Sequence, residues 1–326
     1  MSQKQENFRK VSRMLSERRD AARSTAEAHL TDLHARSARA AEIDRELAGT
    51  AMKIFAAASS GEEIDEKVAA IRRRSEALRA ERAAILDTLG LPRDYTDPHY
   101  TCKTCSDTGY VMTEMCSCMK DLLRQENLRT CGAAAGMATQ SFDTFSLRYY
   151  RDDPEEYALM AQTLRIAQNF AEHFVPGAEN LLLMGGTGLG KTHLSTAIAR
   201  VVVEGGHDVI YETVSQVFED FEYDRFRSDK GTEEKRAEKY LTCDLLILDD
   251  LGTEFTNSFT VACLYQLVNT RLIRGLSTVV STNLTPAELT NRYDERLTSR
   301  FLGAYRVLRF VGRDIRFQKL AAPDRP

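Results

Sequence analysis

Eight residues carry the clearest chemistry in this chain of 326 residues: Gly185, Gly186, Thr187, Gly188, Leu189, Gly190, Lys191 and Thr192 match the phosphate-loop pattern G-x-x-x-x-G-K-[ST] in full. Glycines at these positions let backbone N–H groups turn inward around phosphate oxygens, where a side chain would collide. A helix starting at Lys191 adds its positive N-terminal end. Lys191 is then placed to reach the β- and γ-phosphates, and Thr192 to offer its hydroxyl to Mg²⁺. Downstream, Leu245-Leu246-Ile247-Leu248-Asp249-Asp250 reads as a buried strand delivering two carboxylates at its C-terminal end. Asp249 is the expected Mg²⁺-side carboxylate, and Asp250 the group that polarises an attacking water. No N-K-x-D-type base-recognition motif follows, which disfavours a GTPase.

A second cluster lies upstream. Cys102-x₂-Cys105-x₁₀-Cys116-x-Cys118 supplies four thiols in a short span, with turn chemistry at Ser106-Asp107-Thr108-Gly109. Four thiolates satisfy a closed tetrahedral Zn²⁺ site, which would be structural. The Cys-x-Cys arm is tighter than the commonest spacing, so His99 or Cys131 could replace one ligand. A segment this short with so few large apolar residues needs a metal to fold. Cys243 and Cys263 sit in apolar stretches and read as core.

The elements that must position these residues follow from composition. Residues 1–90 hold nineteen alanines, no proline and no tyrosine, which suits long helices. Ile64, Val68, Ile71, Ser75, Leu78, Arg82, Ile85 and Leu89 recur in steps of four and three, a heptad seam with two polar interruptions. Ser60 and Glu63 form a potential capping box, and Gly90-Leu91-Pro92 ends the helix. A weaker stripe of Phe8, Val11, Leu15, Ile43 and Leu47 marks a first helix ending near Ala58. Residues 1–90 are therefore expected to form a helical hairpin or coiled-coil arm, residues 91–139 a cysteine-rich connector, and residues 140–326 an ATPase domain. In the last part, expected strands Asn180–Met184, Asp208–Tyr211, Asp244–Leu248, Thr278–Thr282 and Tyr305–Phe310 alternate with helices such as Lys191–Val203 and Ser258–Arg274. That alternation predicts an α/β fold with a parallel sheet flanked by helices.

Beyond the phosphate loop, His193-Leu194, then Leu246–Gly252 (Leu-Ile-Leu-Asp-Asp-Leu-Gly), then Ser281-Thr282-Asn283-Leu284-Thr285 follow in order. With these motifs, residues 140–320 resemble the AAA+ ATPases of the DnaC/DnaI/IstB family, bacterial helicase loaders and transposition helpers. The resemblance implies that Asn283 is the sensor 1 residue positioning the hydrolytic water. It implies that Asp294–Phe301 is the arginine-finger box, with Arg300 reaching the γ-phosphate of a neighbouring subunit and Arg296 supporting it. It implies that Arg316, in Gly312–Arg316, is the sensor 2 residue acting in cis. A guanidinium supplied in trans stabilises γ-phosphate charge and makes hydrolysis depend on assembly. Many AAA+ proteins carry Glu where Asp250 stands. The chain ends sixteen residues after Phe310, so the helical lid is expected to be absent. The cysteine segment resembles that of DnaI-like loaders.

Charge and hydropathy narrow the class. The net charge is −4; residues 1–90 carry 17 basic and 15 acidic groups and residues 140–326 carry 22 and 27. No segment is basic enough to coat nucleic acid passively. No apolar run could cross a bilayer, Met1-Ser2-Gln3-Lys4-Gln5-Glu6 has no apolar stretch, so export is not expected, and the seven cysteines are then expected as thiols in a reducing cytoplasm. The expected function is an ATP- and Mg²⁺-dependent loader of the hexameric replicative DNA helicase, assembling as a homo-oligomer on single-stranded DNA, without a membrane. An IstB-like transposase helper and a nucleotide-switched adaptor with negligible turnover are the alternatives.

Overall fold

The computed structural model describes residues 3–59, 64–227 and 235–321. Contacts divide the chain into two units, one of residues 12–116 and one of residues 1–11 together with 117–326. This division by contacts differs from the division by composition.

The first unit is built from helices and a small hairpin. Helix α1 (Gln3–Arg36), whose start belongs to the other unit, is followed by α2 (Ala38–Ala48), α3 (Thr50–Ser59) and α4 (Ile64–Thr88). The single first helix expected to run to Ala58 is thus three helices. Ser37 breaks it by adopting an extended backbone and accepting the Ala40 N–H as an N-cap, and Gly49 caps α2. The proposed Ser60/Glu63 capping box lies outside the described residues. Along α4 the seam is the inward face: Ser75 and Leu78 are buried, and Val68, Ile71, Arg82, Ile85 and Leu89 are partly so. Its polar interruptions are satisfied. The Ser75 hydroxyl donates to the Ile71 carbonyl, and Arg82 donates to Asp44 at 2.6 Å and to Thr96 at 2.8 Å. Strands β1 (Tyr110–Val111) and β2 (Glu114–Met115) pair antiparallel inside the cysteine loop.

In the second unit α5 (Ser117–Thr130), α6 (Ala134–Met137), a 3₁₀ turn (Leu147–Tyr150) and α7 (Pro154–Glu172) precede the sheet. Then come β3 (Asn180–Met184), α8 (Lys191–Glu204), β4 (Val209–Thr213), α9 (Val214–Arg227), α10 (Glu238–Thr242) and β5 (Leu245–Leu251). The chain continues through α11 (Ser258–Ile273), β6 (Ser277–Thr282), α12 (Pro286–Tyr293), α13 (Glu295–Ala304), β7 (Tyr305–Arg309) and α14 (Ile315–Ala321). The five strands are all parallel in the order β4-β5-β6-β3-β7. Each expected strand is present, Asn180–Met184 at both its ends and the others with ends shifted by at most three residues. Leu181–Leu183 in β3 and Leu245–Leu248 in β5 are buried apolar runs, whereas β7, at the edge, exposes Arg306 and Arg309. Along β3 the period of two sends Leu181 and Leu183 into a core with Leu194, Ile198 and Phe170, and Leu182 into a core with Leu246, Leu264 and Phe301. In this order β3 lies between β6 and β7, so the loop after it opens between their C-terminal ends.

Among the described residues, no helix is long and apolar enough to cross a membrane.

Candidate nucleotide-binding site

The loop between β3 and α8 has the backbone its glycines permit. Gly188 (φ 71°) and Gly190 (φ 85°) are left-handed, and a Cβ on Gly185 would strike the Phe310 carbonyl. Lys191, at the first position of α8, folds its side chain back into the loop and is only 5% exposed. Its ammonium donates to the carbonyls of Gly185 (2.7 Å) and Gly186 (2.6 Å) and to Asn283 Oδ1. All three acceptors are neutral. Burial therefore brings its pKa down to about 8, with Asp250 and Asp249 opposing the shift and Arg316 adding to it. An ammonium buried at the phosphate loop, with no carboxylate in ion-pair distance among the described residues, fits a phosphate ligand.

Asp249 and Asp250 leave β5 in different ways. Asp249 is 5% exposed; its Oδ2 accepts from the Tyr211 hydroxyl at 2.8 Å and its Oδ1 from the Ser281 hydroxyl. Asp250 sits in a register shift between Leu248 and Leu251 with φ at 58°, and its N–H donates to Ser281 Oγ at 3.0 Å. That bulge turns its half-buried carboxyl toward the phosphate loop. Burial, then the charge of Asp249, raises its pKa, while Lys191 and Arg316 lower it.

A cavity of about 430 Å³ joins these groups. Thr187, Gly188, Leu189, Gly190, Lys191, Thr192, Asp250, Asn283 and Arg316 all line it, with Gln140, His193, Thr253, Ile315 and Lys319. The structure thus brings together the residues expected from the phosphate loop, the end of β5, the end of β6 and the start of α14, with Asp249 behind them. A second cavity shares Gly190, His193, Ile315 and Lys319 and extends to Thr144, Phe145, Ser146, Arg148, Tyr149 and Tyr150. Sequence reasoning missed this wall. His193, next to the loop, bonds the Ser141 carbonyl at 2.9 Å and packs edge-on to Phe145, and the Tyr150 hydroxyl donates to the Leu189 carbonyl. The aromatic run Phe142–Tyr150 was the available signal. Glu254 was also missed. It is buried, bonds the Gly252 N–H at 2.9 Å and accepts from the Tyr293 hydroxyl, tying the turn after β5 to α12.

Arg300 does not line the cavity. It donates to Asn269 at 3.1 Å and to the Arg296 carbonyl, and lies over the Tyr265 ring at 4.4 Å. Arg296 lines a separate groove beside α11 and α12.

The four cysteines expected to bind metal converge. The Sγ atoms of Cys102, Cys105, Cys116 and Cys118 all lie within 4.8 Å of one another. Asp107, with φ at 55°, turns the loop by accepting the N–H groups of Thr101 and Cys102, both at 2.8 Å. Neither alternative ligand is in the cluster. His99 is exposed near Asp94, and Cys131 is buried, its thiol pushed up to about 12 by burial. Cys243 is core, beside the guanidinium of Arg271.

Comparison with known proteins bears on this site. The family model described as IstB-like ATP binding protein matches residues 150–308. The chromosomal replication initiator protein DnaA of Wolinella succinogenes is 33% identical over 145 residues, covering 42% of this chain and 30% of that protein. The replicative helicase loader DnaC of Escherichia coli (strain K12) is 27% identical over 134 residues, covering 41% of this chain and 54% of that protein. Residues 150–308 are thus similar to IstB-like ATP binding proteins, and part of the chain is similar to DnaC and DnaA proteins. The chain spans under a third of the DnaA relative's length and about half of the DnaC relative's. A crystal structure of the DnaC helicase loader superposes with a TM-score of 0.47 at 22% identity, covering 54% of this chain and 98% of that one.

Proposed function

We propose that this protein is an ATPase that loads the replicative DNA helicase, binding ATP in the β3–α8 loop and single-stranded DNA as an ATP-dependent homo-oligomer. The observation that carries the ATP reading is Lys191, whose buried ammonium meets only neutral oxygens at the mouth of a cavity lined by Asp250, Asn283 and Arg316. In this reading the loop N–H groups from Gly185 to Thr192 hold the triphosphate. Asn283 and Asp250 position and polarise the attacking water, and Arg316 meets the phosphates in cis. Thr192 and Asp249 would hold a Mg²⁺, which supplies charge neutralisation between the β- and γ-phosphates. In this reading the second cavity, about 510 Å³ and lined by Tyr149 and Tyr150, takes the base. Arg300 is engaged with its own subunit's Asn269 and Tyr265, away from the cavity, which supports action on a neighbour's nucleotide.

Turnover of the full chain with and without single-stranded DNA tests the ATPase. Arg300→Ala should keep ATP affinity within about threefold while turnover falls about 10³-fold; unchanged turnover rejects the finger. Co-purification with the hexameric helicase in ATP tests the partner. The IstB-like match favours a second reading, a transposase helper with the same ATPase, and co-purification with a transposase instead would select it.

We further propose that Cys102, Cys105, Cys116 and Cys118 hold a structural Zn²⁺, and that residues 1–90, 91–139 and 140–326 act as docking arm, zinc connector and ATPase. The clustering of four sulfur atoms supports the zinc reading. Metal analysis of fresh, unchelated protein should give one zinc per chain, and a value far below one rejects it.

A further inference from the structure

Asp249 is held by more than the strand that carries it. A carboxylate can only accept hydrogen bonds, so with Asp249 ionised the direction of each bond around it is fixed. Tyr211, on the neighbouring strand β4, must donate its one hydroxyl proton to Oδ2. Ser195 Oγ on α8 lies 2.9 Å from the Tyr211 oxygen and 3.1 Å from the Thr192 carbonyl, so its one proton serves whichever of these two acceptors it faces. Ser281, on β6 at the other side, must donate to Oδ1, leaving its oxygen to accept the Asp250 N–H at 3.0 Å. Asp249 is thus the acceptor on both sides, from Tyr211 and from Ser281, and the Ser281 side continues to the Asp250 N–H. The network spans β4, β5 and β6 and touches, through Ser195, the helix that begins with Lys191 and Thr192. Ser195, Ser281 and Asp249 are at most 5% exposed and Tyr211 is 8% exposed, so water does not compete for these bonds.

We infer that Tyr211 and Ser281 are positioning residues that fix the carboxylate of Asp249 for Mg²⁺ beside Thr192. The inference rests on the ATP·Mg²⁺ reading above. Each carboxylate oxygen accepts one of these bonds and keeps a second lone pair, so the carboxylate does not have to be ordered on binding. Groups of this kind typically set metal affinity by 10–100-fold when removed. Tyr211 suits the task because its ring packs in the core with Leu181 and Leu194 while its hydroxyl alone reaches Asp249, so Tyr211→Phe keeps the ring and removes only the hydroxyl with its bonds to Asp249 and Ser195.

The test uses the full chain, a non-hydrolysable ATP analogue, and Mg²⁺ or paramagnetic Mn²⁺ titrated against it. In wild type the metal should raise analogue affinity. In Tyr211→Phe, affinity in chelator should stay within about twofold while the metal concentration for half-saturation rises about 10–100-fold. Ser281→Ala should behave alike, and Ser281→Thr, which keeps the hydroxyl, should recover most of the loss. Where Ser281→Ala fails to fold, as read from its thermal midpoint, Tyr211→Phe carries the decision. Wild-type metal half-saturation in Tyr211→Phe overturns the inference while leaving the ATP·Mg²⁺ reading intact. An equal loss with and without metal makes Tyr211 merely structural and also overturns it. A wild type whose analogue affinity ignores metal removes the Mg²⁺ reading itself and this inference with it.

Discussion

The sheet carries a pair of acidic residues at each end, and the pair at the C-terminal ends of the strands meets a cavity. At the C-terminal ends of the strands, Asp249 and Asp250 meet Lys191, Asn283 and the phosphate loop. At the N-terminal ends, Asp208 precedes β4 and Asp244 precedes β5, and both are at least nine-tenths buried. The Asp244 carboxylate accepts the Asp208 N–H at 3.0 Å and pairs with Lys4 at 3.3 Å, so the start of α1 covers it. Two buried carboxylates side by side are not enough for chemistry. What separates the pairs is what lies opposite: the Lys191 ammonium on neutral oxygens and an open volume at one end, an exposed Lys4 paired with Asp244 at the other. At the far edge the cost of burial appears instead as a raised pKa, with Asp208 pushed up to about 6 by burial and the charge of Asp244.

The largest expected contrast between the two edges comes from isosteric neutralisation. Asp250→Asn should lower ATP turnover by about 10²–10⁴-fold while leaving nucleotide affinity and the thermal midpoint close to wild type. Asp208→Asn should leave turnover unchanged. If Asp208→Asn silences turnover as strongly, the two edges are not functionally distinct.

A smaller contrast concerns pH. With its pKa near 8, Lys191 of the ligand-free protein is charged below that value and loses its proton above it. A bound phosphate favours the charged form, so binding above pH 8 must take up a proton. Analogue affinity should therefore fall by up to about tenfold per pH unit as pH rises beyond 8, flattening below it. Titration by fluorescence at fixed ionic strength reads this directly. An affinity flat from pH 7 to 9.5 means the ammonium is not what the phosphates meet.

This asymmetry was half legible in the sequence. Gly185–Thr192 and Leu245–Asp250 announced the working edge because each is a local pattern whose chemistry depends on spacing along one segment. The strand order was beyond such reasoning, as were the partners of Asp249. Tyr211 lies 38 residues before Asp249 and Ser281 lies 32 after it, and only the parallel register of β4, β5 and β6 brings them together. The wall around Tyr150 escaped for the same reason: its hydroxyl reaches a backbone carbonyl, which leaves no mark on sequence. In the first unit the heptad seam identified the inward face of α4. The breaks at Ser37 and Gly49 were passed over because an alanine-rich background masks a single cap residue.

The smallest effect is at the quiet edge. Asp208 ordinarily titrates near 3.8 and in the folded protein near 6. Between those values the folded chain keeps a proton that the unfolded chain has released, so stability falls as pH rises through that window. Lys4 and Arg271 moderate the shift, and His207 lies 3.8 Å from Asp244. Asp208→Asn has no such proton to lose. Its backbone N–H bond to Asp244 and the bond from the Leu245 N–H to its carbonyl do not depend on the side chain. The variant should therefore gain on wild type by about 1 kcal/mol between pH 4 and pH 7, seen as a thermal-midpoint difference that widens with pH. Parallel pH profiles would mean that Asp208 is already charged in the fold, and that Lys4 makes the two ends of the sheet electrostatically alike.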